Sequence, residues 1–427
     1  MEAHLSHHDP STCRPEYSPV SECHQRSLNI VIVGAGIGGL AAALGLRRNG
    51  HTVLIYEQSR LAGESGAAVH LAPNANGILR RWGIFAESFG ANPMDHLVEH
   101  MKDGQVRKHI DLRIPNKRWQ HPWHLVHRAS LYEELKRLAT SEEGIGMPVT
   151  LRTGRKVTEL DPNQGMLRLD NGETVFADLI VGADGIYSMT RKYIKDNKLL
   201  SSGKAAFRFL VPRKVAEADP ITAPLVHQKN TLLMWYGSDR RIVVYPCNDN
   251  RLLNFVCIHP ETGSHATPSD EWNKQATVSQ VLNVYADFDP RIRTLISKVD
   301  PSTLRVWQLL DMDQLPTFFT SKLVLLGDAA HPFTPHQGQG AAQAIEDAAA
   351  LSVILSPSAT VSSLPSLLPI YNQSRYARSH TIQEYSRLAG KDWVNDQPPV
   401  DTKGKVDEKM LSWEMAQRWM TMAKVNK

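Results

Sequence analysis

The chain has 427 residues, enough for two or three domains or for one elaborated α/β domain with a large buried core. Hydrophobic residues make up 42% of the sequence and charged residues 22%, which is typical of globular proteins and excludes a disordered or polytopic membrane protein. The 48 basic and 44 acidic residues give a net charge of +4 without a block of five Lys or Arg, which argues against nucleic-acid binding.

The cysteine pattern and the N-terminal composition exclude several further classes. The four cysteines form no C-x-x-C pair and have no histidine at metal-ligand spacing, so we predict no metal site, no disulfide framework and a cytoplasmic location. Asn29 to Leu46 is uncharged, but its five glycines favour a turn over a membrane span. Residues 1–27 have few large apolar side chains, so we predict a disordered tail and no signal peptide.

The first structural signals predict a β-α-β unit. NIVIVG and TVLIYE have the pattern of buried strands, and IGGLAAALGLRRNG between them has helical spacing. The first strand runs into G-x-G-x-x-G, formed by Gly34, Ala35, Gly36, Ile37, Gly38 and Gly39. Such glycines permit a tight turn and the close approach of a pyrophosphate to the helix N-terminus. Glu57 closes the second strand, where an acidic side chain can bind ribose hydroxyls, so we predict a dinucleotide site.

The middle and the end of the chain predict a second sheet and a return to the first. AAFRFLVP, TLLMWYG, RIVVYPC and RLLNFVCI alternate as strands do and predict a mostly antiparallel sheet. KLVLLGDAA then predicts a strand, and GAAQAIEDAAALSVIL a buried helix. Asp184 and Asp328 each follow an apolar strand beside small residues, where a carboxylate can accept hydrogen bonds near a cofactor. For either motif alone, an Asx turn is the simpler interpretation.

Taken in order, these motifs resemble the single-component FAD-dependent aromatic hydroxylases, a family that includes salicylate hydroxylases, para-hydroxybenzoate hydroxylase and many fungal natural-product oxygenases. The resemblance runs from about Leu28 to Leu388. It implies that the glycine loop and Glu57 hold the ADP half of FAD. It also implies that Asp184 lies in the segment shared by FAD and the incoming nicotinamide, and that Asp328 contacts the ribityl chain.

Two further parts of the flavin site follow from the resemblance. Arg128 is expected to reach the flavin, and Ala68 and Val69 to line its path, although a glycine is common at the position of Ala68. The Ala-rich helix is preceded by a segment that exposes free N–H groups, which can stabilise negative charge on reduced flavin. The flavin-contacting residues expected in that segment are Pro335, Gly338, Gly340 and Ala341.

The predicted fold is therefore α/β (α+β): a Rossmann-type FAD-binding domain, an inserted mostly antiparallel β-sheet substrate domain, and C-terminal helices. We predict the FAD-binding domain over 28–101, 122–200 and 305–391, the substrate domain over 102–121 and 201–304, and a C-terminal extension with a terminal helix over 392–427. No second G-x-G-x-x-G occurs, so NAD(P)H is expected to bind transiently in a surface groove. Arg47 and Arg48 could favour a 2′-phosphate or form a solvated helix end.

The candidate catalytic residues lie on the predicted substrate sheet. Arg208 alternates with apolar neighbours, and an arginine on a strand is usually solvated or ion-paired. The resemblance implies instead that Arg208 pairs with a substrate oxygen. Tyr236 and Tyr245 lie on neighbouring runs, where an aromatic pocket and ordinary core packing are equally plausible. His331 and His336 flank the flavin segment, and packing or hydrogen bonding is favoured over a proton-transfer role.

The resemblance implies a monooxygenase that takes hydride from NAD(P)H, forms a flavin C4a-hydroperoxide with O₂ and hydroxylates or epoxidises an electron-rich aromatic. A phenol, a salicylate-type acid or an indole-containing metabolite would be a suitable substrate. A flavin halogenase shares the fold, but its G-W-x-W-x-I-P stretch is absent. A non-catalytic flavin-binding regulator is the other alternative, and the retention of Arg128, Asp184 and Asp328 argues against it. The choice between NADH and NADPH and the oligomeric state stay open.

Overall fold

The computed structural model describes residues 27–60, 68–263 and 274–393. The predicted tail before Ser27 and the predicted terminal helix lie outside the described residues. The described strands are β1 (Asn29–Val33), β2 (Thr52–Glu57), β3 (Ala68–Leu71), β4 (Asn92–Pro93), β5 (His96–Met101), β6 (Val106–Asp111), β7 (His124–His127), β8 (Thr150–Thr153), β9 (Val157–Asp161), β10 (Met166–Leu169), β11 (Thr174–Phe176), β12 (Leu179–Gly182), β13 (Leu199–Pro212), β14 (Thr231–Tyr236), β15 (Arg241–Cys247), β16 (Leu252–Pro260), β17 (Lys274–Gln275), β18 (Arg305–Met312), β19 (Phe319–Thr320) and β20 (Leu323–Leu325). The described α-helices are α1 (Ile37–Arg48), α2 (Pro73–Arg81), α3 (Arg113–Arg118), α4 (Arg128–Thr140), α5 (Arg213–Glu217), α6 (Ala223–Val226), α7 (Val278–Val284), α8 (Pro290–Ile296), α9 (Gly340–Ile354) and α10 (Leu364–Ala389).

The predicted β-α-β unit forms the centre of a six-stranded sheet with the order β19-β20-β12-β1-β2-β8. Its strands are parallel except for the β19–β20 pair. The helices α4 and α9 pack on α1, so the small side chains of α1 lie in a continuous apolar core. The uncharged stretch that begins at Asn29 is divided between β1 and α1. Among the described residues, no helix has the length and apolar character needed to cross a membrane.

The second predicted sheet has eight strands in the order β17-β18-β13-β16-β15-β14-β5-β6. Only the β14–β5 pair is parallel, which confirms a mostly antiparallel sheet. Because side chains alternate between faces, Phe207, Phe209 and Phe255 enter the apolar core that includes α7 and α8. Arg208, between the first two of these residues, points to the other face. That face is the wall of the cavity described below.

Two of the predicted boundaries of the substrate domain disagree with the strand pairing in this sheet. The sequence predicts that residues up to 101 and from 305 onward belong to the FAD-binding domain. β5 pairs with β14, however, and β18 pairs with β13, so both strands belong to the eight-stranded sheet. Alternation identifies a strand but does not identify its partner, so this pairing was not readable from the sequence.

The two arginines at the end of α1 have a structural role. The Arg47 side chain is buried, and its guanidinium donates to the carbonyl oxygens of Leu138 at 2.8 Å and Gly146 at 3.2 Å. Arg48 donates to the carbonyl oxygen of Trp82 at 2.7 Å. Arg47 is therefore not solvated, Arg48 is half-buried, and neither side chain lines the cavity in which the cofactor motifs meet.

A buried carboxylate, that of Asp347 on α9, organises the turn that follows β20. It accepts hydrogen bonds from the Gly327 backbone N–H at 2.9 Å, from His331 Nε2 at 2.7 Å and from Arg375 Nε at 2.6 Å. Burial alone would raise the pKa of the Asp347 carboxyl, but His331 and Arg375 outweigh burial and hold it well below its usual value. The carboxylate therefore stays ionised, and the turn after β20 is fixed to α9 and α10.

Removal of this carboxylate should destabilise the protein strongly. Asp347→Ala removes one of the two carboxylates that pair with the buried Arg375 guanidinium, Glu346 being the other, and leaves His331 Nε2 and the Gly327 N–H without their acceptor. Breaking a buried ion pair on one side costs about 3–5 kcal/mol. We expect the free energy of unfolding, measured by denaturant titration of the FAD-loaded protein, to fall by about this amount. Asp287→Ala is the matched control, because the exposed Lys102–Asp287 pair contributes at most about 1 kcal/mol. Equal losses in the two variants would contradict the assignment.

The same carboxylate predicts a sign for the acid dependence of stability. A lowered folded-state pKa means that the stabilisation is complete above the unfolded-state pKa of about 4 and is lost as the pH falls below it. We expect the unfolding free energy to decline between about pH 5 and pH 2. In Asp347→Asn the slope against pH should be shallower, because up to one proton fewer is taken up on unfolding. Urea titrations at several pH values measure this slope, and parallel slopes for the two proteins would refute the prediction.

Candidate active site

A cavity of about 1400 Å³ extends from the end of β1 to the exposed face of the eight-stranded sheet. It brings together nearly all of the residues singled out from the sequence. Those that line it are Gly34, Gly36, Ile37, Gly38, Glu57, Ala68, Val69, Arg128, Asp184, Arg208, Tyr236, Tyr245, Asp328, Pro335, Gly338, Gly340 and Ala341. Gly39 is the exception among the predicted site residues, because it faces the interior of the glycine loop.

The glycine loop has space for a ligand at one position and none at two others. A Cβ atom at Gly34, where φ is +101°, would lie 2.4 Å from the Ala183 carbonyl oxygen. A Cβ at Gly39 would lie 2.1 Å from the Gly34 carbonyl oxygen. A Cβ at Gly36 would meet no atom within 4 Å, although this residue lines the cavity. The loop therefore leaves room for a pyrophosphate at Gly36 at the start of α1, which fits a dinucleotide.

Glu57 lies at the end of β2, as expected, and its carboxylate closes the glycine loop. Its Oε2 accepts from the Ala35 N–H at 2.8 Å, and its Oε1 accepts from the Ser59 N–H at 2.8 Å. The carboxylate lines the cavity and can accept further hydrogen bonds, because each carboxylate oxygen has more than one acceptor position. This arrangement fits a pair of ribose hydroxyls.

Asp184 follows β12 and has a more local role than the resemblance implied. Its carboxylate accepts from Ser188 Oγ at 2.7 Å, and from the backbone N–H groups of Met189 and Thr190 at 2.8 and 3.0 Å. These bonds form the Asx-type turn that is the simpler interpretation of the motif. Asp184 lines the cavity, but its carboxylate is engaged by its own loop.

Arg191 connects the two loops that carry the aspartates. Its guanidinium donates to the carbonyl oxygens of Ala329 at 2.7 Å and Asp328 at 2.9 Å, and to that of Ile186 at 2.8 Å. The side chain is 3% exposed, so these bonds lie out of water. Through Arg191, the loop after β12 fixes the backbone on which Asp328 stands.

Asp328 directs its side chain into the cavity. The side chain is accessible from the cavity. Protein atoms around it displace much of the bulk water, and this desolvation raises the pKa of its carboxyl. Downstream, Gly338 has a φ of +60° and turns the chain into α9. Among the described residues, no side chain caps the N-terminus of α9, so its first N–H groups, near Gly340 and Ala341, are available to the cavity.

Arg208 is a cation in an aromatic part of the cavity. The centre of its guanidinium lies 4.3 Å from the centroid of the Trp307 ring, which is a cation–π distance. Within the described part of the chain, no carboxylate oxygen lies within 4 Å of it, and its Nε is buried without a hydrogen-bond partner. Burial lowers the pKa of Arg208 to about 10, so the side chain stays cationic at neutral pH.

The two predicted tyrosines line the cavity with their hydroxyl groups already engaged. Tyr245 donates to the Ala68 carbonyl oxygen at 2.9 Å. Tyr236 donates to the Met234 sulfur at 3.3 Å, and its ring stacks on Trp393 at a centroid distance of 4.4 Å. Both roles differ from direct contact with a substrate oxygen.

The two histidines near the predicted flavin segment differ in position, because only His336 lines the cavity. His331 is fully buried and bonds Asp347, so it supports the turn and does not line the cavity. His336 lines the cavity, and burial, aided by Arg241, lowers its pKa to about 3. A neutral imidazole at physiological pH cannot act as a proton donor of ordinary strength.

Sequence analysis missed several residues that shape the site. His70 and Trp123 line the cavity, and Asn254 and Asp347 hold the backbone around it. Asn254 stands alone in the apolar run RLLNFVCI, and such an isolated amide was the available signal. Asp347 lies within an Ala-rich helical run, where a buried acid similarly requires partners.

Comparisons with known proteins agree with this geometry. The family model described as "FAD binding domain" matches residues 27–386. Hispidin-3-hydroxylase of Neonothopanus nambi is 33% identical over 374 residues, covering 84% of this chain and 87% of the relative. 3-Hydroxybenzoate 6-hydroxylase 1 of Aquipseudomonas alcaligenes is 33% identical over 370 residues, covering 84% and 88%.

Solved structures share the whole fold. A salicylate hydroxylase substrate complex aligns with a TM-score of 0.74 and 26% identity, over 92% of this chain and 95% of that chain. CtdE in complex with FAD and a substrate aligns with a TM-score of 0.76 and 23% identity, over 93% and 100%. The Rossmann-type FAD domain and the FAD cofactor predicted from the motifs are confirmed. The chain belongs to the family of single-component FAD-dependent monooxygenases that hydroxylate aromatic compounds.

Proposed function

We propose that this enzyme uses NAD(P)H and O₂ to insert one oxygen atom into an electron-rich aromatic compound that carries an anionic oxygen group. The observation that carries the substrate class is Arg208, a half-buried cation on an aromatic wall with no carboxylate within 4 Å in the described chain. A phenolate or a carboxylate would complete its hydrogen bonds. Among the aromatics suggested by the sequence, this favours the phenol and the salicylate-type acid.

The residues around Gly36 would hold the pyrophosphate of FAD, and Glu57 would hold the adenosine ribose. Asp328 would accept from the ribityl chain, and the free N–H groups at the start of α9 would face the flavin ring. FAD, when bound, supplies the electron transfer and the activation of O₂. The protein contributes orientation, exclusion of water and a fixed field around the reacting atoms.

On the substrate side, Arg208 would fix the orientation of the ring through a charge-assisted hydrogen bond. The Trp307 face holds the guanidinium plane, which limits the directions in which its N–H groups point. Leu232, Val243 and Val256 line the cavity on the same sheet. These apolar side chains keep water from the ring, so the interaction with Arg208 is strengthened.

NAD(P)H would reach the flavin from the same cavity, because the described chain has a single glycine loop of the dinucleotide type. The direct test is spectroscopic and chemical. Purified enzyme should be yellow, and hydroxylated aromatic acids should accelerate its consumption of NADH or NADPH and give a product heavier by one oxygen atom. An enzyme that binds FAD but shows no aromatic-stimulated consumption of either nucleotide would be a flavin binder and would refute the proposal.

Gly36→Val should give a folded protein with little FAD. The added Cβ has free space and φ is −67°, so the substitution puts no strain on the backbone, but it occupies the position expected for the pyrophosphate. We expect FAD affinity to fall at least about tenfold, which is ~1.4 kcal/mol, and Asp328→Ala should also lower flavin content. Equilibrium titration of apoprotein with FAD measures the loss.

The contrast is Gly39→Ala, whose Cβ would lie 2.1 Å from a carbonyl oxygen and should reduce the melting temperature itself. A Gly36→Val protein that retains full FAD affinity would show that the pyrophosphate lies elsewhere.

Arg208→Ala should keep its FAD and its reduction by NAD(P)H, and should release mainly hydrogen peroxide in place of oxygenated product. A charge-assisted hydrogen bond is worth about 1.5–3 kcal/mol, so coupled turnover should fall by about one to two decades. Arg208→Lys should restore part of it, having the charge but not the planar fork. Product and peroxide yields per nucleotide consumed measure the coupling.

The matched control is Arg305→Ala, because Arg305 lies directly opposite Arg208 in the β13–β18 ladder but does not line the cavity. Wild-type coupling in Arg208→Ala, or equal uncoupling in the two variants, would assign Arg208 to fold support.

A further inference from the structure

Two side chains of the eight-stranded sheet bind both backbone polar groups of Ala68. Asn254 Oδ1 accepts from the Ala68 N–H at 2.9 Å, and the Tyr245 hydroxyl donates to the Ala68 carbonyl oxygen at 2.9 Å. Tyr245 and Asn254 are directly opposite each other in the β15–β16 ladder. We call this pair and its two hydrogen bonds the Ala68 clamp. It connects the substrate sheet to the first residue of β3.

The clamp is built out of water. Tyr245 is 4% exposed, and Asn254 and Ala68 are at 0% and 4%. Burial raises the pKa of the Tyr245 hydroxyl, so it remains a proton donor over the whole working range of pH. Asn254 Nδ2 is buried without a hydrogen-bond partner in the described chain, which is unfavourable for stability.

The clamp holds β3, the strand that faces the proposed flavin site. Ala68 and Val69 both line the cavity, and β7 pairs with the other edge of β3. His70 follows on the same strand, with its ring 4.8 Å from the Tyr245 ring in an edge-on arrangement.

The influence of the clamp extends to the turn before α9. A Cβ built on Gly338, at a φ of +60°, would lie only 3.1 Å from His70 Cγ, so the imidazole already packs on the backbone of this turn. Tyr245 therefore supports two backbone segments that border the flavin site, one directly through Ala68 and one through His70.

We propose that Tyr245 and Asn254 are positioning residues that set the place of the Ala68–Val69 backbone against the flavin, and that Tyr245 does not bind the substrate. This inference rests on the proposed location of FAD in the cavity. A substrate ligand at Tyr245 would have to displace the buried hydrogen bond to Ala68, leaving that carbonyl oxygen unpaired. Because both backbone polar groups of Ala68 are bound by the clamp, the position of this backbone depends on Tyr245 and Asn254.

The experiment removes one hydroxyl and follows the bound flavin. In Tyr245→Phe the ring stays and only the bond to Ala68 is lost, and Asn254→Leu removes the second bond at similar volume. We expect at least a fivefold rise in the FAD dissociation constant for Tyr245→Phe, together with a displaced visible absorption band and a changed reduction potential of the bound flavin. The rise in the FAD dissociation constant of the double variant should be smaller than the product of the two single rises, because both side chains hold the same residue, Ala68.

Tyr285→Phe is the matched control. Its hydroxyl is also buried and donates to a carbonyl oxygen, that of Ile258, at 2.8 Å, but on the opposite face of the same sheet. It should lower the melting temperature to a similar degree and leave the FAD affinity, spectrum and potential unchanged. The measurements use apoprotein titrated with FAD, and the loaded enzyme for the spectrum and potential.

Three outcomes would overturn the inference. Tyr245→Phe could keep the FAD affinity, spectrum and potential of the wild type; it could instead raise only the KM for the aromatic acid that gives turnover; or the control could change the flavin as much. Should wild-type enzyme bind FAD but not oxygenate any aromatic, the proposed function fails, while the flavin measurements still decide the role of the clamp.

Discussion

The site depends on a single buried carboxylate. Asp347 binds the Gly327 backbone, His331 and Arg375 at once, and so connects the turn after β20 with α9 and α10. That turn carries Asp328, and α9 presents its free N–H groups beside it. An ionised group without water must be fully hydrogen-bonded, which leaves its surroundings one geometry. The turn after β20 and the helices α9 and α10 are therefore joined by one buried group.

The cavity is formed where two sheets with different constraints meet. The parallel sheet offers strand ends and a helix N-terminus, which suit phosphate and ribose groups. The antiparallel sheet offers one face, whose alternate side chains can be chosen without disturbing the core on the other face. Arg191 joins the loops of the first sheet, and the Ala68 clamp joins β3 to the second. Buried hydrogen bonds thus fix the loops at one end of the cavity and attach β3 to the sheet that carries Arg208.

Arg208 and Asp347 differ in whether neighbouring side chains of the protein compensate their charge. The charge of Asp347 is compensated by its neighbours, whereas that of Arg208 faces an aromatic ring and an open chamber. Burial of a cation without a carboxylate is unfavourable in the empty protein and becomes favourable when an anionic ligand arrives. The same physics that makes Asp347 a structural group suits Arg208 to the recognition role that we propose for it.

Much of the fold was readable from the sequence because its signals are local. The glycine loop, the β-α-β periods, the alternating runs and the Ala-rich helix each depend on neighbours within a few residues, and all are found where they were expected. The places of Glu57 and Asp328 follow from the same logic, since Glu57 ends β2 and Asp328 lies in the turn after β20 of the parallel sheet.

Only the tertiary structure decided which of two local interpretations applies to a given side chain. Asp184 proved to cap its own turn, Arg47 to bind backbone carbonyls, and the Tyr245 hydroxyl to hold Ala68. The pairing of β5 with β14 was equally hidden. The partners of Arg47 and Tyr245 lie about 90 or more residues away, whereas Asp184 binds its own loop, as the Asx-turn interpretation of its motif allows. Residue type and spacing report only what a side chain is able to bind. The sequence by itself determined the fold class and the cofactor, and long-range contacts determined which polar groups are left free for chemistry, because a hydrogen-bond donor already used by the fold is no longer available to a ligand.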